Sequence, residues 1–387
     1  MTTIFSVIFG ISLFIIFWGN IGYQLSLIIL DKIFQPENEI VEDYYPTVTI
    51  MVVAHNEEYV IHDKLLNLDK LNYPKNKLNI LIASDNSTDR TNEIVEKYIE
   101  QNPNKKIELY KSKRRMGKTN AQNEAQKKVQ SEFLVMTDAN SMLDKDSIRF
   151  LMSSFESNEI VYVTGKLVYT NSFESETSSN ESIYWKLDLR IREIESNFQT
   201  ITAGNGALYA VRNEEYIDFA PMKSHDSSMP LYYGLKGKRA IANHDAIAYE
   251  KAGENTKDEF NRKVRMNRML LHHILPSVKI LNIFKLKWFT YFYLGHRTCR
   301  YLLWLAHLLL LISNLFLASI SNIIFYIAIV HLLVLTMGIL QHFIGTENKM
   351  LNLVYYYLVT ITAQYKGIFN TVTGKSKPFW EKAESAR

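Results

Sequence analysis

Asp138 and Asn140 follow an apolar run, residues 133–136, that reads as a buried strand, so a carboxylate and an amide are delivered to one strand tip. Asp85 ends a second such run at residues 79–84, and His55, Asn56 and Glu57 follow a third at residues 48–53. Oxygen donors of this kind accept hydrogen bonds from hydroxyl and ring N–H groups, and they also ligate hard cations. If the three strands lie side by side and parallel, their tips share one crevice at the carboxyl edge of the sheet, where open α/β folds place ligands. Lys118 follows Gly117 at the start of a predicted helix, where its ammonium and nearby backbone N–H groups can face an anion. His225-Asp226 and the run Arg262-Lys263-Val264-Arg265 complete the residues with chemistry to offer.

The elements that must position these groups alternate between about residues 46 and 275. Helices are expected at 57–69, from an N-cap at Ser87-Thr88-Asp89, at 118–130 and at 144–155, with a further short strand at 107–110. Strand and helix in strict turn predict an α/β fold, a doubly wound, mostly parallel sheet. Neither a Gly-x-Gly-x-x-Gly loop nor a Gly-x-x-x-x-Gly-Lys-Ser/Thr loop occurs, which removes support for dinucleotide redox chemistry and P-loop phosphoryl transfer. The lone Cys299 excludes an intrachain disulfide and a multi-cysteine metal site, and a net charge of +4 over 387 residues gives no case for nucleic acid.

Residues 3–30 carry no charged side chain, and about 20 apolar residues suffice to cross the hydrocarbon layer. The stretch is too long for a signal peptide and lacks a basic start, so 1–31 is read as a transmembrane helix and 32–45 as a linker to a domain at 46–275. Residues 276–296 mix apolar side chains with Lys285, Lys287, Trp288 and Tyr291, as suits a helix lying at the membrane interface or an amphipathic helix packed on the domain. Within 297–366, segments 301–318 and 322–341 are clear membrane candidates, and 351–365 is a third interrupted by polar residues. Arg297 and Arg300 put the middle of the chain on the cytoplasmic side, and 367–387 forms a basic tail. His296, His307, His331 and His342 lie near or within these segments and either face a polar path or bond helix to helix.

Five stretches occur in a telling order: Val-Ala-His-Asn-Glu at 53–57, Ser-Asp-Asn-Ser-Thr-Asp at 84–89, Gly-Lys-Thr-Asn-Ala at 117–121, Thr-Asp-Ala-Asn at 137–140 and Gly-Asn-Gly-Ala-Leu-Tyr-Ala-Val-Arg at 204–212. Together they resemble the inverting family-2 glycosyltransferases, in particular the membrane-embedded hyaluronan, chitin, cellulose and poly-N-acetylglucosamine synthases. The resemblance implies a GT-A type sheet flanked by transmembrane helices. It also implies that Glu57 and Asp85 contact the nucleoside, Lys118 the diphosphate, and Asp138 with Asn140 a divalent metal, magnesium or manganese. Asn140 departs from the family's Asp-x-Asp by one charge, and Asn86 stands where glycine is usual.

By the same resemblance Asp226 is the base that takes the acceptor's proton, and His225 replaces a first acid, where it tunes Asp226, touches the acceptor or caps its helix. Arg265 keeps the phosphate-facing arginine of Gln-x-x-Arg-Trp, with Arg262 as a second cation, while Met266 replaces the tryptophan beneath the acceptor. Sugar stacking is then left to Tyr184, Trp185 or Tyr209, or the acceptor is held differently, and Gly204, Asn205 and Gly206 resemble the loop beneath it. His244 resembles a third metal ligand in some related folds, although a turn histidine is the simpler reading.

The expected activity is that of a hexosyltransferase-type enzyme (EC 2.4 class) at the plasma membrane, multi-pass, with its catalytic domain cytoplasmic. It would move a sugar from a UDP-sugar donor to a growing β-linked polysaccharide, with the lipid bilayer and a homo-oligomer or export subunit as partners. A single addition to a lipid-linked saccharide acceptor, or a catalytically silent nucleotide-sugar-binding subunit, are the alternatives.

Overall fold

The computed structural model describes residues 1–36, 44–155, 157–171, 176–251 and 256–379, and side chains are described outside 176–186 and 256. The core is one eight-stranded sheet of β1 (Val48–Ala54), β2 (Leu78–Ser84), β3 (Ile107–Lys111), β4 (Phe133–Asp138), β5 (Met142–Leu143), β6 (Ile160–Tyr169), β7 (Leu208–Arg212) and β8 (Arg239–Glu250). Its order is β3-β2-β1-β4-β7-β6-β8-β5. The expected parallel half is present: β3, β2, β1 and β4 run together. Beyond β4 the sheet is mixed, because β7 pairs antiparallel with both β4 and β6 and β5 pairs antiparallel with β8, while β6 and β8 are parallel.

Nearly every residue of β1 and β4 is buried, as a strand covered on both faces requires. One apolar layer packs Ile50, Val52, Ile61, Leu65, Leu68 and Val135 on one face. The other face gathers Met51, Leu134, Met136, Tyr162, Tyr209 and Tyr233. Register then decides the site. Ala54 pairs with Ser84 and Val53 with Asp138, so the three strand tips finish level with one another.

Helices occupy Ile61–Asp69, Thr91–Gln101, Lys118–Gln126 and Ser147–Ser153, each shorter than the sequence pattern or offset from it, and also Glu176–Phe198 and His225–Lys236. The cap expected at Ser87-Thr88-Asp89 lies further from the helix than anticipated: the helix starts at Thr91, whose N–H and hydroxyl both reach Asp89 Oδ1.

By length and composition Thr2–Phe34 and Asn322–Ile344 can each cross a membrane, and Trp288–Tyr301 with Leu303–Leu317, bent by 60°, makes a third candidate if counted as one span. Residues 276–296 do not form the single interfacial helix expected; Val278–Leu281 and Ile283–Leu286 are short turns leading into Trp288–Tyr301. Leu281, Ile283 and Phe284 are nonetheless exposed there. The last apolar segment is a longer helix, Lys349–Val372, that packs on the 256–269 segment: Tyr356 bonds to Glu259, and Thr371 donates to the Arg268 carbonyl. His307 is bonded to His331 and to Tyr357, so the helix-to-helix reading of these histidines is realised.

The N-terminal and Trp288–Tyr301 helices are keyed to the domain by buried polar contacts. His296, fully buried, bridges Glu195 at 2.7 Å and Asp188 at 3.1 Å, Tyr23 also donates to Glu195, and Arg300 joins Asp188. Arg297 reaches the Thr202 hydroxyl, which ties the Trp288–Tyr301 helix to the segment leading into Gly204.

Candidate active site

Two asparagines shape the strand tips. Asn56 and Asn86 hold φ of 55° and 54°, a left-handed conformation that asparagine and glycine tolerate best, which explains asparagine where glycine is usual. Asn56 Oδ1 accepts the Thr88 N–H at 2.8 Å and locks the two turns together. Glu57 is 8% exposed, its N–H held by Thr91. His55 bonds to the Asp85 carbonyl at 2.8 Å, and burial lowers its pKa.

Asp85 is 2% exposed and accepts the Met116 N–H at 3.0 Å and the Gly117 N–H at 2.8 Å. Its carboxylate thus braces the loop that presents Lys118. Gly117 has φ of +95°, and a Cβ there would lie 2.7 Å from the Pro378 carbonyl, so only glycine lets the two backbones meet. The segment 377–379 is therefore packed on this loop. Arg268 donates to the carbonyls of Lys377 and Pro378, and Arg115 lies 4.6 Å from the Phe379 ring centre. Pro378 and Phe379 were not anticipated, because nothing local links a proline–aromatic pair to a loop 260 residues earlier in the chain.

The centre of the site is Gly206. A Cβ placed on it would lie 3.2 Å from Lys118 Nζ, 3.7 Å from Asp138 Oδ2 and 3.8 Å from Asp226 Oδ2, so three charged groups face one point. Lys118 is ion-paired with Asp138 Oδ1. Although burial lowers its pKa, Asp138 and Asp226 outweigh that and raise it, which keeps the ammonium charged. Burial and the mutual repulsion of Arg262, Arg265 and Arg268 push Arg265 down to about 10, while Asp138 attracts it, and Arg268 is attracted by Asp226. Arg262 is bound to Glu259 at 2.8 and 3.1 Å, and Glu259 is 1% exposed. Of the expected set, Lys118, Asp138 and Asp226 therefore converge at Gly206, Arg265 is within electrostatic reach of Asp138, and Asp85 braces the Lys118 loop.

Several side chains go elsewhere than anticipated. His225 is buried between Gln122 and Tyr216, with both ring nitrogens bonded at 2.9 and 2.8 Å. Burial and nearby Lys118 push its pKa down to about 3, so it is a neutral brace of its helix and not a partner of the acceptor. Asn205 is turned inward: its amide donates to the Gly165 carbonyl and accepts the Ala207 and Leu208 N–H groups. Tyr209 stacks on Tyr162 in the core and cannot serve as a sugar platform. Tyr184 and Trp185 lie outside the residues whose side chains are described. His244 lies within β8, 4.0 Å from Glu193. Met266 is 57% exposed.

Asp138 and Asn140 offer hard oxygen donors on one turn, closed by the Ser141 N–H to the Asp138 carbonyl. Among the described residues no group of three His, Cys, Asp or Glu side chains converges as a closed metal cage. One or two protein oxygens with the remaining positions left to phosphate and water is how magnesium-type ions are held in phosphate-binding sites, so the donor set fits such a cation.

The architecture as a whole defines a GT-A type glycosyltransferase fold: a mannosyltransferase from Pyrobaculum calidifontis, solved with GDP-Man and Mn2+, superposes with a TM-score of 0.71 at 18% identity, over 95% of this chain and all of that one. Residues 49–216 match the Glycosyl transferase family 2 model, so the chain carries a glycosyltransferase family 2 domain. Among curated proteins, a beta-monoglucosyldiacylglycerol synthase of Synechocystis is 35% identical over 113 residues, 29% of this chain and 24% of that one. A poly-beta-1,6-N-acetyl-D-glucosamine synthase of Staphylococcus epidermidis is 29% identical over 119 residues, 30% of this chain and 28% of that one. The match thus spans only about a quarter of these relatives' length.

Proposed function

We propose that this chain is a membrane-bound, metal-dependent inverting hexosyltransferase that takes a sugar from a UDP-linked donor at the cytoplasmic face and extends a β-linked polysaccharide. The observation that carries this reading is the convergence of Lys118, Asp138 and Asp226 on Gly206. Glu57 and Asp85 border the nucleoside end, where carboxylates accept hydrogen bonds from base and ribose. Lys118 and Arg265 balance the diphosphate's charge, the guanidinium through its planar fork. A divalent cation held by Asp138 and Asn140 would supply further neutralisation of the leaving diphosphate. Across the same point Asp226 takes the proton of an acceptor hydroxyl as it attacks the anomeric carbon. One displacement then converts an α-linked donor into a β-linked product. Gly206 lets the acceptor approach the backbone closely, whereas Gly204, expected to do the same, instead makes room for the buried Tyr162 ring.

Membrane attachment is supported by the apolar helices, and the cytoplasmic side by the basic residues at 285–300. The bilayer is then a partner, and a homo-oligomer or export subunit completes the route for the polymer. A second reading, single addition to a lipid-linked acceptor, is favoured by one feature: exposed Met266 stands where an aromatic platform is expected. Membranes containing the protein, incubated with a panel of radiolabelled nucleotide sugars and manganese or magnesium, separate these readings by product size. Long labelled chains support polymerisation, single additions support the second reading, and no incorporation from any donor refutes both.

A further inference from the structure

Lys64 is a lysine where the helix pattern asks for an apolar residue. It lies on the buried stripe Ile61, Lys64, Leu65, Leu68 and is 0% exposed. Burying an ammonium is costly unless its donors are used, so methionine would be the simpler choice for packing alone. Its donors grip a single feature. Nζ bonds to the Thr137 hydroxyl at 3.1 Å and to the Ser141 carbonyl, the residues on either side of the Asp138–Asn140 turn. Thr137 donates its own hydroxyl hydrogen bond to the Ala207 carbonyl at 2.7 Å, next to Gly206. Ser141, also fully buried, donates its hydroxyl to Glu250 at the end of β8. On the same helix Asn67 fastens the turn's exit, accepting the Leu143 N–H and donating to the Leu143 carbonyl, both at 2.8 Å.

We propose that Lys64, with Glu250 through Ser141, is a positioning residue that holds the Asp138–Asn140 turn from behind and thereby sets the affinity of the site for a divalent cation and its diphosphate. The inference rests on the donor-site reading above. One ammonium bonded to both flanks fixes the spacing of the two oxygen donors, as a support behind the ligating residues should. This matters more here than where two carboxylates hold the cation, because Asn140 supplies no charge and geometry must serve instead.

The test uses the full-length protein in detergent and Mn2+ with UDP as the probe, followed by manganese EPR and by titration, with thermal melting recorded in parallel. For Lys64→Met we expect Mn2+–UDP affinity to fall at least tenfold in the folded protein and the bound-manganese spectrum to change. Lys64→Arg, which keeps charge and donors, should recover part of the loss. A folded Lys64→Met protein with unchanged affinity and spectrum overturns the proposal, since a purely structural lysine would alter only the melt. If Lys64→Met does not fold, Thr137→Val decides by removing one acceptor: affinity about threefold weaker supports positioning, and unchanged affinity overturns it. Wild-type protein that binds no Mn2+–UDP defeats the donor reading and this inference with it, whereas wild-type binding with an indifferent Lys64→Met defeats the inference alone.

Discussion

Adding one methyl group at Gly206 separates function from stability. In Gly206→Ala the new carbon would lie 3.2 Å from Lys118 Nζ, closer than an ordinary contact of about 3.5–4.0 Å, and 3.7 and 3.8 Å from the Asp138 and Asp226 oxygens. Gly206 has no positive φ and its tightest neighbour is the end of a flexible side chain, so the fold should tolerate the methyl. A phosphate oxygen or cation cannot share that space. Losing one charge-assisted contact costs about 1.5–3 kcal/mol, and at ~1.4 kcal/mol per tenfold that lowers kcat/KM by about 10- to 150-fold. Gly204→Ala is the contrast. Its Cβ would fall 2.0 Å from the Tyr162 hydroxyl, and Tyr162 is fully buried against Tyr209. Overpacking of that kind costs about 1–3 kcal/mol or more and should appear in the melting temperature. The assay is donor turnover beside thermal unfolding for both variants. A Gly206→Ala protein with native kcat/KM would refute the placement of donor chemistry at this point.

Asp226→Asn should lower transfer by about 10²- to 10⁴-fold, the usual contribution of a general base, while UDP titration shows donor affinity within a few fold of wild type. His225→Phe should reduce stability through the lost Gln122 and Tyr216 bonds; because His225 is already neutral, with a pKa near 3, the pH–rate profile of the folded variant should keep its shape near pH 6.5. Glu250 is pushed up to about 7 by burial and then by Asp138, against the pull of Ser141, Lys118 and Arg262. The native state therefore retains a proton that the unfolded chain releases above about 4.5, so this group's contribution to stability is present below 4.5 and is lost as pH rises towards 7. Denaturant melts at several pH values should show Glu250→Gln flattening that slope, and an unchanged slope would contradict the assignment.

What could be read from the sequence was whatever depends on order along one strand. The ends of β1, β2 and β4 follow from apolar runs closed by polar residues, and a parallel register makes them neighbours without further information. The direction in which a side chain leaves a loop was less legible. Asn205 and His225 carry the right chemistry beside the cleft, yet each satisfies its polar atoms in the interior, because a buried amide or imidazole must find partners wherever packing leaves them. Lys64 was missed for the converse reason: lysine is ordinarily solvated, and only the apolar stripe around it marks its burial. The antiparallel half of the sheet escaped because β7 reaches β4 and β6 by long-range pairing that no local pattern encodes. Residues 276–296 have an interfacial composition, but breaks such as Lys287 at φ of 53° divide them into short turns.

The most direct measurement is the anomeric configuration of the product formed from an α-linked UDP-sugar, read by proton NMR before any further processing. If Asp226 is the base for a direct attack and the Asp138–Lys118 pair receives the diphosphate, as proposed, the new linkage should be β. A product with the α configuration retained would contradict a single attack assisted by Asp226.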